Sequence, residues 1–160
     1  MNIIVSGGGT GGHIYPALTI IRAIQEMEPS ARILYVGGRN GLEADIVPRE
    51  GIDFIAMDLA GFQRKISLEN IGRAWRALRA VARARGIVQG FQPNVAIGTG
   101  GYVAGPILLA ASMAGVPTLV QEQNVFAGVT NRILAKFATA IAVGMEDARN
   151  VFPKEKTYVT

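Results

Sequence analysis

The sequence predicts an α/β fold built on a doubly wound parallel sheet, and three observations carry that expectation. Short apolar runs rich in β-branched residues alternate with segments of helical periodicity along the chain, the pattern of strand–helix–strand units with right-handed crossovers. The first run, Ile3-Ile4-Val5, leads straight into Ser6-Gly7-Gly8-Gly9-Thr10-Gly11-Gly12-His13 and then into apolar positions Ile14, Leu18 and Ile21 at helical spacing. That glycine stretch has a second copy. Gly98-Thr99-Gly100-Gly101-Tyr102-Val103 repeats Gly9-Thr10-Gly11-Gly12-His13-Ile14, again after an apolar run (Val95-Ala96-Ile97) and before a helix-like segment. The whole reads as a Rossmann-like domain.

Glycines between a strand and a helix let the backbone approach a ligand, and the free N–H groups of the helix start face anionic oxygens. In an open α/β sheet the ligand crevice forms where the strand order reverses, above the carboxyl ends of the strands. If the run at 95–97 is the fourth strand, both Gly-Thr-Gly-Gly loops open into one crevice. Two converging anion-binding loops point to a diphosphate or a phosphorylated sugar.

The elements follow in order. A strand over about 2–6 and a helix over about 14–27 lead past Pro29 to a second strand, 33–36. Gly37-Gly38-Arg39-Asn40-Gly41 precedes a short helix over 42–47 and a third strand over 54–57. Residues 58–67 form a loop with a basic pair, Arg64-Lys65; Ser67 can cap the next helix and Glu69 suits its first turn. That helix, about 68–89, places Ile71, Trp75, Leu78 and Ala82 on one face, expected to pack on the sheet. Arg73, Arg76, Arg79 and Arg83 line the other side. With Trp75 these arginines are the residues expected at an anionic membrane surface, each basic side chain contributing about 1 kcal/mol there. After the strand at 95–97 and a helix to about 115, a fifth strand (117–120) delivers Gln121-Glu122-Gln123-Asn124 to the carboxyl edge. Asn124 either meets a ligand or caps a helix over about 126–137. A sixth strand (140–143) and a further apolar run at Tyr158-Val159 complete the pattern, without a closing helix. The expectation is a piece of a longer protein.

Composition narrows the function. The 160 residues are 49% hydrophobic and 18% charged, which suits one packed domain and argues against disorder. With no cysteine and one histidine, thiolate chemistry, disulfides and multi-histidine zinc sites fall away, and no metal site or cofactor is expected. No signal-peptide pattern or membrane-length apolar run is seen, so a cytoplasmic address is expected. The net charge of +4 suits an acidic ligand or surface. A nucleic-acid module would need interleaved surface aromatics, which are missing. An NADP-binding oxidoreductase domain is the competing possibility. A dinucleotide fold wants an acid at the end of strand two, where Gly37, Gly38 and Arg39 stand; Arg39 would admit only the phosphorylated dinucleotide. Neither glycine loop continues into Lys-Ser/Thr, which disfavours a nucleoside triphosphatase.

Three motifs together, Gly8 to Pro16, Gly98 to Pro106, and Glu122-Gln123-Asn124 with Gly128-Val129-Thr130-Asn131, resemble the MurG family, bacterial N-acetylglucosaminyltransferases that convert lipid I to lipid II in peptidoglycan synthesis. The resemblance spans the chain and implies the N-terminal half of a GT-B two-domain glycosyltransferase, with residues 1–160 the acceptor-binding, membrane-associating domain. The isolated half is expected to be inactive. It implies UDP-N-acetylglucosamine, lipid I and the anionic inner-membrane surface as partners, at the cytoplasmic face of the bacterial membrane, along with other cell-wall synthesis enzymes. Thr10, Gly11, Gly12 and Asn124 match donor-side positions; Gly9, Gly100, Gly101 and Tyr102 match the acceptor diphosphate region. His13 and Glu122 are the candidates for the base that takes a proton from the attacking sugar hydroxyl, His13 having phosphate binding as its rival role. The reaction implied is attack of the muramyl C4 hydroxyl on the anomeric carbon, with inversion and UDP leaving. Gln121 departs from the family, many members of which carry histidine there.

Overall fold

The computed structural model describes residues 1–58 and 70–160, with residues 70–77 described by their backbone alone. Among the described residues seven strands form one sheet: β1 (Asn2–Gly7), β2 (Arg32–Gly38), β3 (Asp53–Met57), β4 (Val95–Gly100), β5 (Thr118–Glu122), β6 (Ala140–Val143) and β7 (Thr157–Val159). All pair in parallel in the order β3-β2-β1-β4-β5-β6-β7. The order reverses between β1 and β4, whose registers meet at Ile4 against Ala96. This is the switch point that the repeated glycine loops imply.

Strand residues alternate between two buried faces, as expected of a parallel sheet covered on both sides. Ile3, Val5, Ile33, Tyr35 and Ile97 pack with Ile14, Ala17, Leu18 and Ile21 of α1 (Gly11–Met27) and Val47 of α2 (Glu43–Arg49). On the other face Ile4, Leu34, Val36, Ala96 and Val120 pack with α3 (Asn70–Phe91), α4 (Ala104–Met113) and α5 (Val129–Leu134).

The elements reach further into the glycines than local preference suggests. Strands β1, β2 and β4 end at Gly7, Gly38 and Gly100, because pairing with flanking strands holds backbone that glycine alone would leave loose. Helix α1 starts at Gly11, before its apolar periodicity begins. Helix α5 starts at Val129 with Gly128 as its cap, so Asn124 caps nothing.

Helix α3 corrects the expected phase. Ala80, Ala84 and Val88, four residues apart, are buried, whereas Leu78 is 64% exposed and Ala82 is exposed. Small side chains let the helix sit in one cluster with Ile107, Leu108 and Ala111 of α4. Close approach outweighs the larger hydrophobe, and Leu78 and Ala82 turn outward. Arg79 is exposed. Arg83 instead lies along the β3 edge, donating to the Ala56 carbonyl at 3.2 Å and standing 4.0 Å from Asp58; it is a weaker candidate for a membrane surface than expected. The side chains of Ile71, Arg73, Trp75 and Arg76 lie outside the described residues, as do Arg64, Lys65, Ser67 and Glu69.

Overpacking the buried face and polarising the outward one should separate cleanly. Ala84→Leu is expected to cost about 1–3 kcal/mol of stability and Leu78→Ser less than about 0.5 kcal/mol, as read by denaturant unfolding.

Candidate functional site

The carboxyl ends of β1 and β4 bring the two glycine loops into backbone contact. The Gly8 N–H donates to the Gly100 carbonyl at 3.3 Å. Gly101 has φ +80°, and a Cβ there would sit 2.1 Å from the Gly8 carbonyl oxygen. Glycine is therefore required at 101 both by its left-handed conformation and by the neighbouring chain.

His13 stands at this junction, half-buried in the first turn of α1. Its Nδ1 lies 3.0 Å from the Thr99 carbonyl and 3.1 Å from Gln123 Nε2. A carbonyl only accepts and an amide N–H only donates, so Nδ1 bonds to Thr99 when it carries the proton and accepts from Gln123 when it does not. Nε2 has no hydrogen-bond partner among the described residues. Thr99 Oγ1 returns a bond to the His13 carbonyl at 2.7 Å, so helix start and strand end are clamped to each other.

Gln123 has its own task. Pro16 lies inside α1 and has no N–H to offer the Gly12 carbonyl four residues earlier. Gln123 Nε2 donates to that carbonyl at 2.7 Å, filling the place of the missing helical bond. The Gln123 Oε1 is buried without a partner among the described residues, as are Gln121 Oε1 and Asn131 Oδ1.

Glu122 does not fit the base role. It is fully buried, and its carboxylate accepts four hydrogen bonds: from Asn124 N and Nδ2 on Oε1, both at 3.0 Å, and from Gly128 N (2.9 Å) and Asn131 Nδ2 (3.0 Å) on Oε2. Each carboxylate oxygen has two lone pairs, and all four are in use. Glu122 thus ties the Glu122-Gln123-Asn124 motif to Gly128–Asn131. Asn124 itself is exposed, with its amide N–H held and its Oδ1 unassigned.

The first loop contains a residue that its motif does not announce. Glu43, the first residue of α2, is fully buried and accepts from Gly9 N at 3.0 Å and Gly38 N at 2.9 Å. Gly9 therefore gives its N–H to the protein, which corrects its assignment to diphosphate binding. Tyr35, also buried, donates its hydroxyl to the Gly7 carbonyl at 2.8 Å. Burial first, and the Glu43 charge second, push both the Tyr35 and Tyr102 hydroxyls above the usual tyrosine range. The Tyr102 ring comes within 3.2 Å of where a Gly9 Cβ would lie, so this aromatic spans the two loops. Thr10, Gly11 and Gly12 surround the start of α1, with Thr10 and Gly12 exposed. Glycines clustered at 37, 38 and 41 just before an acid were the available signal for Glu43.

The dinucleotide alternative depends on Arg39. Arg39 is paired with Asp58, which raises the guanidinium pKa and holds the carboxyl below the usual carboxylate range. Among the described residues no group of three or more His, Asp or Glu side chains could hold a metal ion.

The glycosyltransferase family 28 N-terminal domain matches residues 3–143. The chain is 54% identical over 152 residues to the UDP-N-acetylglucosamine–N-acetylmuramyl-(pentapeptide) pyrophosphoryl-undecaprenol N-acetylglucosamine transferase of Desulforamulus reducens, covering 95% of this chain and 41% of that protein. It is 51% identical to the enzyme of the same name from Pediococcus pentosaceus, covering 100% and 44%. The crystal structure of Acinetobacter baumannii MurG superimposes with a TM-score of 0.85 at 28% identity, over 99% of this chain and 45% of that one. A UDP-GlcNAc 2-epimerase from Methanocaldococcus jannaschii shares the fold alone, with a TM-score of 0.68 at 13% identity over 99% of this chain and 44% of that one. The chain spans less than half the length of these curated relatives.

An alkaline titration followed by phenolate absorbance should find two of the four tyrosines, Tyr35 and Tyr102, ionising above the usual tyrosine value. The folded state then holds protons that the unfolded chain releases, so unfolding free energy should fall as pH rises past about 10.

Proposed function

Because the chain belongs to the glycosyltransferase family 28 N-terminal domain family, we propose that it is the acceptor-side half of a GT-B transferase. The complete enzyme moves N-acetylglucosamine from UDP-N-acetylglucosamine to the C4 hydroxyl of lipid I, with inversion and release of UDP. The observation that carries this reading is His13, held by Nδ1 against the Thr99 carbonyl at the meeting point of both glycine loops. Its Nε2 takes the proton of the attacking hydroxyl as the oxygen bonds to the anomeric carbon, and the diphosphate departs. Backbone N–H groups at the start of α4 stabilise the phosphate charge. On this reading Thr10, Gly11, Gly12 and the free Asn124 carbonyl border the donor, and Gly100, Gly101 and Tyr102 hold the acceptor diphosphate. Glu122 shapes the loop beneath them.

Membrane association belongs to the same proposal. No helix among the described residues is long and apolar enough to cross a membrane, so binding would be peripheral, at the cytoplasmic face. Exposed Leu78 beside exposed Arg79 supports it, pairing an apolar anchor with a charge that anionic lipid attracts.

In the complete transferase, His13→Ala should lower turnover at least about tenfold at unchanged folding; near-normal turnover removes both the base and the phosphate role. Leu78→Ser combined with Arg79→Gln should weaken sedimentation with anionic vesicles at unchanged turnover of a soluble lipid I analogue. Equal sedimentation would leave this helix face without a membrane role.

A further inference from the structure

Four glycines from two chain segments surround the Glu43 side chain. A Cβ at Gly8 would lie 2.1 Å from its Oε1, at Gly41 2.3 Å from its Oε2, at Gly37 2.5 Å from its Cγ and at Gly38 3.1 Å from its Oε1. The space beneath the first glycine loop is shaped for a carboxylate, which is fully buried there and takes the Gly9 and Gly38 N–H groups. In a strand–glycine loop–helix unit such N–H groups are the ones offered to a ligand's phosphate oxygen.

We propose that Glu43 is a built-in anion, a positioning residue that fills the phosphate seat of the first glycine loop and locks Gly9 at its φ of +86°. A second anion is repelled from that seat. Resting on the transferase reading, this leaves the second loop, Gly100 to Tyr102, as the place for the acceptor's diphosphate.

The test uses the complete transferase with Glu43→Ala and Glu43→Gln, in formate and in chloride at equal ionic strength. Glu43→Ala empties a seat faced by two N–H donors, and formate supplies a free carboxylate of the right size. Formate, but not chloride, should raise the melting temperature of Glu43→Ala by at least about 2 °C and leave wild type and Glu43→Gln unchanged. It should also restore most of an approximately tenfold or greater loss in kcat/KM for a soluble lipid I analogue. Should Glu43→Ala refold poorly, refolding yield in formate against chloride gives the same comparison. Formate acting no better than chloride, or wild-type kcat/KM in Glu43→Gln, would overturn the proposal. The melting shift requires no turnover. A formate shift without lipid I turnover by wild type therefore overturns the transferase reading alone, and turnover without a formate effect overturns the role of Glu43 alone.

Discussion

Gly8 lies against Gly100 and Gly101 with no room for a side chain between them, and the carboxyl edge of the sheet is arranged around that contact. It exists because β1 and β4, remote in sequence, are neighbours at the point where the strand order reverses. Through it the start of α1 meets the end of β4, and the Thr99–His13 clamp can form only there. A Cβ on Gly101 would force the loops apart and carry the histidine away from its partner.

Two buried carboxylates then fix the loops from below. An ionised carboxyl removed from water is costly unless its oxygens are hydrogen-bonded. Glu122 meets that requirement with four donors, two of them from side chains on its own loop and helix. Glu43 meets it with backbone N–H groups from two different strand ends. In both cases a charge that could have served chemistry instead sets backbone conformation. Both loops are thus tied down from the protein side, while His13 Nε2 and the exposed Asn124 side-chain carbonyl have no partner among the described residues.

The fold was legible because its signals are local and repeated: β-branched runs, glycine loops, helical spacing. The strand order followed from placing the second glycine loop at the switch point. The phase of α3 was not legible, since Leu78 outranks alanine in hydrophobicity. Only the neighbouring α4 reveals that alanines are what a close helix contact needs. The position of His13 in the first turn of α1 was legible because its motif marks a helix start. Glu43 was missed because one partner, Gly9, lies in the loop after β1, and nothing in a linear pattern ties an acid on a short helix to a loop 34 residues earlier. Glu122 was placed correctly at the strand end but given the wrong task, because residue type alone does not distinguish an available carboxylate from one whose lone pairs are all taken.

The substitution of a side-chain amide for a helical N–H at Gly12 has a consequence for how the chain assembles. Most of α1 can form from its own residues, as helices do on short timescales. Its first turn cannot be completed that way, because Pro16 removes the local donor and the replacement comes from Gln123, 111 residues further along. During synthesis the histidine turn must wait for β5 to be made and docked. The first glycine loop, encoded near the start of the chain, is thus among the last parts to reach its final geometry.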